Sequence, residues 1–234
     1  MDMPIERRDS TAWPAIAALV YFFAYLAYLF THIENEVEHY RSIVLLPFLL
    51  IYITQAWQGE RRFAAALASV GLRRGNLRRG LLVAVLVGLG LSALQLVASN
   101  RIAAIWELLV TGRAAYLFPL ALTFMLIGPG FTEEFFFRGV IQTRLARWFG
   151  AHWPAILVTS ALFGLYHVPY AYLNPSWPSH GDLPRAFTAA MVQGGIGGLI
   201  VGTVYAKSRQ NLLAPILVHA LINTVPGMTS IKFG

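Results

Sequence analysis

Cysteine is absent from the 234-residue chain, which excludes disulfide staples, thiolate metal sites and a cysteine nucleophile. Charge is scarce as well: 12% of residues are charged against 57% hydrophobic, where a soluble domain carries about 25% charged. A surface so poor in charge excludes a soluble globule. No polar stretch is long enough to form a separate water-soluble domain, so a single-anchor protein is excluded too. Aspartate is nearly missing, with Asp2, Asp9 and Asp182 the only three and none inside an apolar run. That removes the pair of intramembrane carboxylates an aspartyl protease needs. No His-Glu-x-x-His is present for a metalloprotease helix, and no serine in a tight glycine-flanked loop suggests a rhomboid-type site.

What is present is a series of apolar runs of bilayer length, at 13–31, 42–57, 81–98, within 117–148, and at 152–167, 186–206 and 211–229. Arg7 and Arg8 precede the first run, but no small-x-small cleavage site ends it, so it reads as a retained signal anchor. Segment 102–116 carries Glu107 and Arg113 on an apolar background and reads as an interfacial helix or as the start of a span. The segment 170–184 reads as a polar, proline-bearing loop. The pattern predicts an all-α polytopic membrane bundle of about seven to eight spans, one integral domain over 1–234. The net charge of +7 is read as orientation and not as nucleic-acid binding. With the N-terminus inside, thirteen of the 18 basic residues fall on the inner side, six of them arginines between the second and third runs. By the positive-inside rule the N-terminus is cytoplasmic and the chain sits in the cell (plasma or inner) membrane.

A carboxylate at mid-bilayer costs roughly 2.5–3.5 kcal/mol even on lenient scales, so polar residues within the runs are where function is sought. They are Glu133, Glu134, Arg138, His167, His219 and Asn223, with Gln95 and Gln193 as lesser candidates. Glu134 and Arg138 stand at i,i+4 and pair on one helix face. Glu133, rotated about 100° away, is left unpaired and faces a cavity. His219 and Asn223 are also i,i+4. The bland alternatives are a charge cluster at a helix end, a capping histidine and interhelical hydrogen-bonding glue. Depth argues against them. From an inner turn at Gly150, Glu133 lies 17 residues before and His167 17 residues after, so both rise about 25 Å. From the next turn near Arg209, His219 and Asn223 rise roughly 15 and 21 Å. Four groups from three helices thus reach one layer, with Pro129 able to shift that register by a kink. Gly194, Gly198 and Gly202 form a small-residue stripe read as helix packing.

Glu133-Glu134-xxx-Arg138, Phe163-xxx-His167 and His219-xxx-Asn223 resemble, in order, the motifs of the CPBP family (CAAX-protease and bacteriocin-processing, or Abi, proteins), intramembrane glutamic endopeptidases. The resemblance covers roughly 131–223, within an expected catalytic core at 114–229. It implies about eight spans around a cavity and peptide-bond hydrolysis by water in a membrane-associated, CAAX-type prenylated or other substrate, with no cofactor and no nucleic acid. It implies Glu133 as general base, with His167 orienting the water, His219 and Asn223 as oxyanion stabilisers, and Glu134 and Arg138 in support. The rival readings are a zinc protease using Glu133, His167 and His219, a proton-relaying transporter, and an inactive scaffold.

Overall fold

The computed structural model describes residues 12–32, 34–73, 77–99 and 101–230. Among them nine helices and no strand occur. They are α1 (Trp13–Leu29), α2 (Glu36–Trp57), α3 (Phe63–Ser69), α4 (Leu77–Ala98), α5 (Ile102–Val110), α6 (Ala114–Phe149), α7 (His152–Leu173), α8 (Leu183–Lys207) and α9 (Leu213–Ser230). In α2, α4, α6, α7 and α8 the apolar helix is long enough to cross a bilayer, while α1 and α9 are shorter apolar helices. These seven coincide with the seven expected runs. In the segment read as an interfacial helix or the start of a span, α5 has nine residues and reaches about 14 Å, half the hydrocarbon thickness, before the chain turns at Gly112 (φ +72°).

Other boundaries move for local reasons. The second helix starts at Glu36, not near 42, because Asn35 and Glu38 form a reciprocal capping box with both bonds at 3.0 Å, satisfying amides that would otherwise lack partners. The fifth run continues past His167 and Pro169 to Leu173. Proline withdraws its amide from the ladder and crowds the carbonyl of Leu165, four residues earlier, but Pro169 and Ala171 are buried, so packing carries the helix on. In α6 the chain bends at Gly128–Pro129, where Gly128 leaves helical geometry (ψ −119°), and it winds as a π-helix over Phe135–Gln142. Gly150 then ends the helix in the left-handed region (φ +67°), as expected of the inner turn. The basic N-terminal residues Arg7 and Arg8, on which the signal-anchor reading rests, lie outside the described residues.

The core is centred on α6. Every residue from Thr132 to Ala146 is buried, the signature of a helix enclosed on all sides. Phe136 and Phe137 pack edge-on against Tyr21 and Phe22 of α1 (ring centroids 5.8 and 6.0 Å), and Phe137 packs against Phe163 and Tyr166 of α7 (4.8 and 5.2 Å). The outer faces stay apolar: Leu82, Leu86, Leu89, Leu94 and Val97 of α4 are all exposed. Such a face suits the apolar interior of a bilayer. The glycine stripe of α8 does what was expected of it. A Cβ on Gly198 would stand 3.0 Å from Ser160 Cα, and one on Gly202 would stand 2.8 Å from Gln142 Oε1. The close approach also frees carbonyls for side chains of α6: Arg138 Nη2 donates to Gly198 O (3.2 Å) and Gln142 Nε2 to Gly202 O (2.9 Å).

Candidate active site

Glu133 and Glu134 end the short helical stretch after the Pro129 bend, one residue before the π-wound turn. Being adjacent, they point to different neighbours. Glu134 is fully buried and holds two partners. Its Oε2 lies 3.1 Å from Arg138 Nε, and its Oε1 accepts a 2.7 Å hydrogen bond from His219 Nδ1. Arg138 is itself fully buried and stacks its guanidinium 4.5 Å from the centroid of the Phe163 ring. The i,i+4 pairing was legible in the sequence. The bond to His219, across 85 residues, was not.

Glu133 presents Oε2 to two imidazoles, 3.8 Å from His167 Nε2 and 3.8 Å from His219 Nε2. These separations are too long for direct hydrogen bonds, and Oε2 is buried without a hydrogen-bond partner. The tautomers are assigned from the other ring nitrogens. His167 Nδ1 meets the carbonyl of Phe163 at 2.8 Å and must donate there; His219 Nδ1 donates to the Glu134 carboxylate. In their neutral forms both rings therefore turn an unprotonated Nε2 toward Glu133. A buried carboxylate oxygen facing two ring nitrogens across short gaps is a polar niche suited to a bridging water.

Asn223 lies one turn beyond His219 on α9, half-buried, and among the described residues its side chain has no hydrogen-bond partner. The structure thus brings Glu133, His167 and His219 together and leaves Asn223 one turn further along α9. Of the lesser candidates, Gln193 is exposed on the surface of α8, and Gln95 has a buried Oε1 without a partner on α4. No three His, Cys, Asp or Glu side chains are close enough together to hold a metal ion as they stand among the described residues.

Glu133 and His167 open onto a cavity of about 380 Å³ whose further lining includes Glu34, Glu36, His39, Tyr40, Tyr166, Tyr170 and Trp177. The wall built by the α1–α2 loop and the start of α2 was missed at the level of sequence. Tyr25 OH donates to Glu34 Oε2 (2.6 Å), Glu34 Oε2 lies 3.4 Å from His39 Nδ1, and His39 Nε2 meets Thr132 Oγ1 at 3.3 Å. Thr132 Oγ1 donates onward to Gly128 O (3.1 Å), so it accepts from His39. The Tyr40 hydroxyl donates to Ile127 O at the bend of α6. The first two helices are thereby bonded to the residues that carry Glu133.

A membrane-embedded helical bundle that buries a carboxylate between two imidazoles beside a cavity defines the class to which this chain belongs: polytopic membrane proteins with an internal polar site. Residues 114–225 match the family model of the Rce1-like type II CAAX prenyl endopeptidases, so that segment is similar to the CPBP family of CAAX proteases. No curated protein and no solved structure matches it.

Proposed function

We propose that this protein hydrolyses a peptide bond of a membrane-associated substrate by direct attack of water. The observation that carries the reading is the buried, partnerless Glu133 Oε2 at 3.8 Å from both His167 Nε2 and His219 Nε2. A water in that niche donates one hydrogen to Glu133 and the other to neutral His167 Nε2, which leaves its lone pairs free for a carbonyl carbon. As the oxygen–carbon bond forms, Glu133 takes the proton as general base and the carbonyl oxygen becomes an oxyanion. Asn223, and His219 once solvent has supplied a proton to its Nε2, are the donors for that oxyanion. The proton on Glu133 then passes to the leaving amine as the carbon–nitrogen bond breaks. Glu134 and Arg138 position His219. Peptides carrying a lipid at a CAAX-type terminus are the substrate class we favour. A second groove of about 440 Å³, lined wholly by apolar side chains including Leu26, Phe30, Leu165 and Phe187, suits a hydrocarbon chain. The distribution of arginines leads us to place the N-terminus in the cytoplasm.

The test is incubation of the purified protein with lipidated peptides in detergent, followed by mass spectrometry. The expected products are two fragments whose masses sum to substrate plus one water, formed equally well with a strong chelator present. Loss of cleavage under chelation that zinc restores would overturn the metal-independent chemistry.

A further inference from the structure

Glu133 is carried by a short piece of helix that its own ladder does not hold in place. The stretch Pro129–Glu134 has six residues. Before it Gly128 leaves helical geometry and Pro129 has no amide to bond backwards. After it the chain winds as a π-helix over Phe135–Gln142. The carboxylate is not anchored either, since Oε2 is buried without a hydrogen-bond partner. Its placement nevertheless matters, because misplacing a catalytic group by about 1 Å can cost roughly 10²-fold in rate.

The hold comes from α2. His39 Nε2 donates to Thr132 Oγ1 (3.3 Å), on the residue just before Glu133. Thr132 Oγ1 donates in turn to Gly128 O (3.1 Å) at the bend, and the Tyr40 hydroxyl donates to Ile127 O on its other side. Both sides of the bend are thus tied to one turn of α2. That turn is itself fixed, by the capping box of Asn35 and Glu38 and through Glu34. Glu34 Oε2 lies 3.4 Å from His39 Nδ1 and accepts a 2.6 Å bond from Tyr25 of α1.

We propose that His39 and Tyr40 are positioning residues: by clamping the two sides of the α6 bend they set the direction in which Glu133 meets His167 and His219. The clamp is a property of the fold, and only its consequence for cleavage rests on the peptidase reading. Both residues lie outside the segment that matches the family model, so the first two helices act on the site without supplying a reacting group.

His39 and Tyr40 also line the cavity, so the test must separate aiming the base from touching the substrate. It uses the full chain in maltoside micelles with lipidated CAAX-type peptides, and reads kcat, KM, the thermal midpoint and amide hydrogen exchange over residues 128–134. His39→Leu, which fills the space but cannot donate, is expected to lower kcat about tenfold or more with KM within about twofold. His39→Gln, whose amide can still donate to Thr132, should return kcat to within about threefold of wild type. Tyr40→Phe loses only a hydroxyl and should lower kcat in the same manner by a smaller factor. Exchange should be faster in His39→Leu than in wild type or His39→Gln. A kcat for His39→Leu within about twofold of wild type, or a raised KM at unchanged kcat, would overturn the proposal and leave the peptidase reading standing. Glutamine no better than leucine would overturn it as well. If wild type cleaves no peptide, faster exchange in His39→Leu would sustain the clamp and overturn the peptidase reading, and unchanged exchange would overturn both.

Discussion

Glu134 does more in this protein than neutralise an arginine. It is the single carboxylate that both balances the fully buried Arg138 and fixes the ring of His219. Removing one partner of a buried ion pair strands the other charge, at a cost of about 3–5 kcal/mol. Glu134→Ala is therefore expected to lower the thermal midpoint strongly as well as activity. Glu134→Gln, which keeps an acceptor for His219 Nδ1 but not the charge, should fold better than the alanine variant yet remain slow. Comparable stability of the two would show that the acceptor for His219 adds nothing to the fold beyond the charge that both variants lack. Asn223 is the opposite case, since its side chain is half-buried and has no hydrogen-bond partner among the described residues. Asn223→Ala should leave the midpoint unchanged and lower kcat about 10²- to 10³-fold, the usual loss for one oxyanion donor. A variant within threefold of wild type in kcat would remove Asn223 from the mechanism.

At the scale of the element, what was legible followed from rules with a fixed period. Apolar length gave the seven apolar helices, i,i+4 spacing gave the Glu134–Arg138 pair, and the glycine stripe gave the face of α8 that meets α7. Glycine at 198 is required by approach and not by conformation: its Cβ would strike Ser160 Cα at 3.0 Å, whereas one on Gly197, a residue earlier, meets nothing within 4 Å. Gly198→Ala should destabilise by about 1–3 kcal/mol through overpacking, and Gly197→Ala should be neutral or slightly stabilising. Equal thermal midpoints for the two variants would contradict the assignment of this face. The capping box at Asn35 and Glu38 lies ahead of the apolar run at 42–57, so apolar length alone started that helix too late. The end of α7 was misjudged because a proline halts a helix only where packing does not hold the next turn.

The site itself is a property of the whole molecule. Counting residues from two turns placed Glu133, His167 and His219 at similar depth, and they meet within 3.8 Å. Counting could not supply rotation about each helix axis, so the bond from Glu134 to His219 and the strap from Glu34 through His39 to Thr132 had no signature in spacing. Those links join residues 85 and 93 positions apart and arise only when α1, α2, α6 and α9 pack together. The central claim is that this packing turns one carboxylate into the base that activates water. The most direct measurement is the cleavage rate of purified Glu133→Gln beside wild type, with matching thermal midpoints showing that the fold is intact. The amide keeps the shape of the side chain but cannot take the proton, so the expected result is a loss of at least 10²-fold, in the range for a general base. Cleavage within about tenfold of wild type would fall short of that range and would contradict Glu133 as the base.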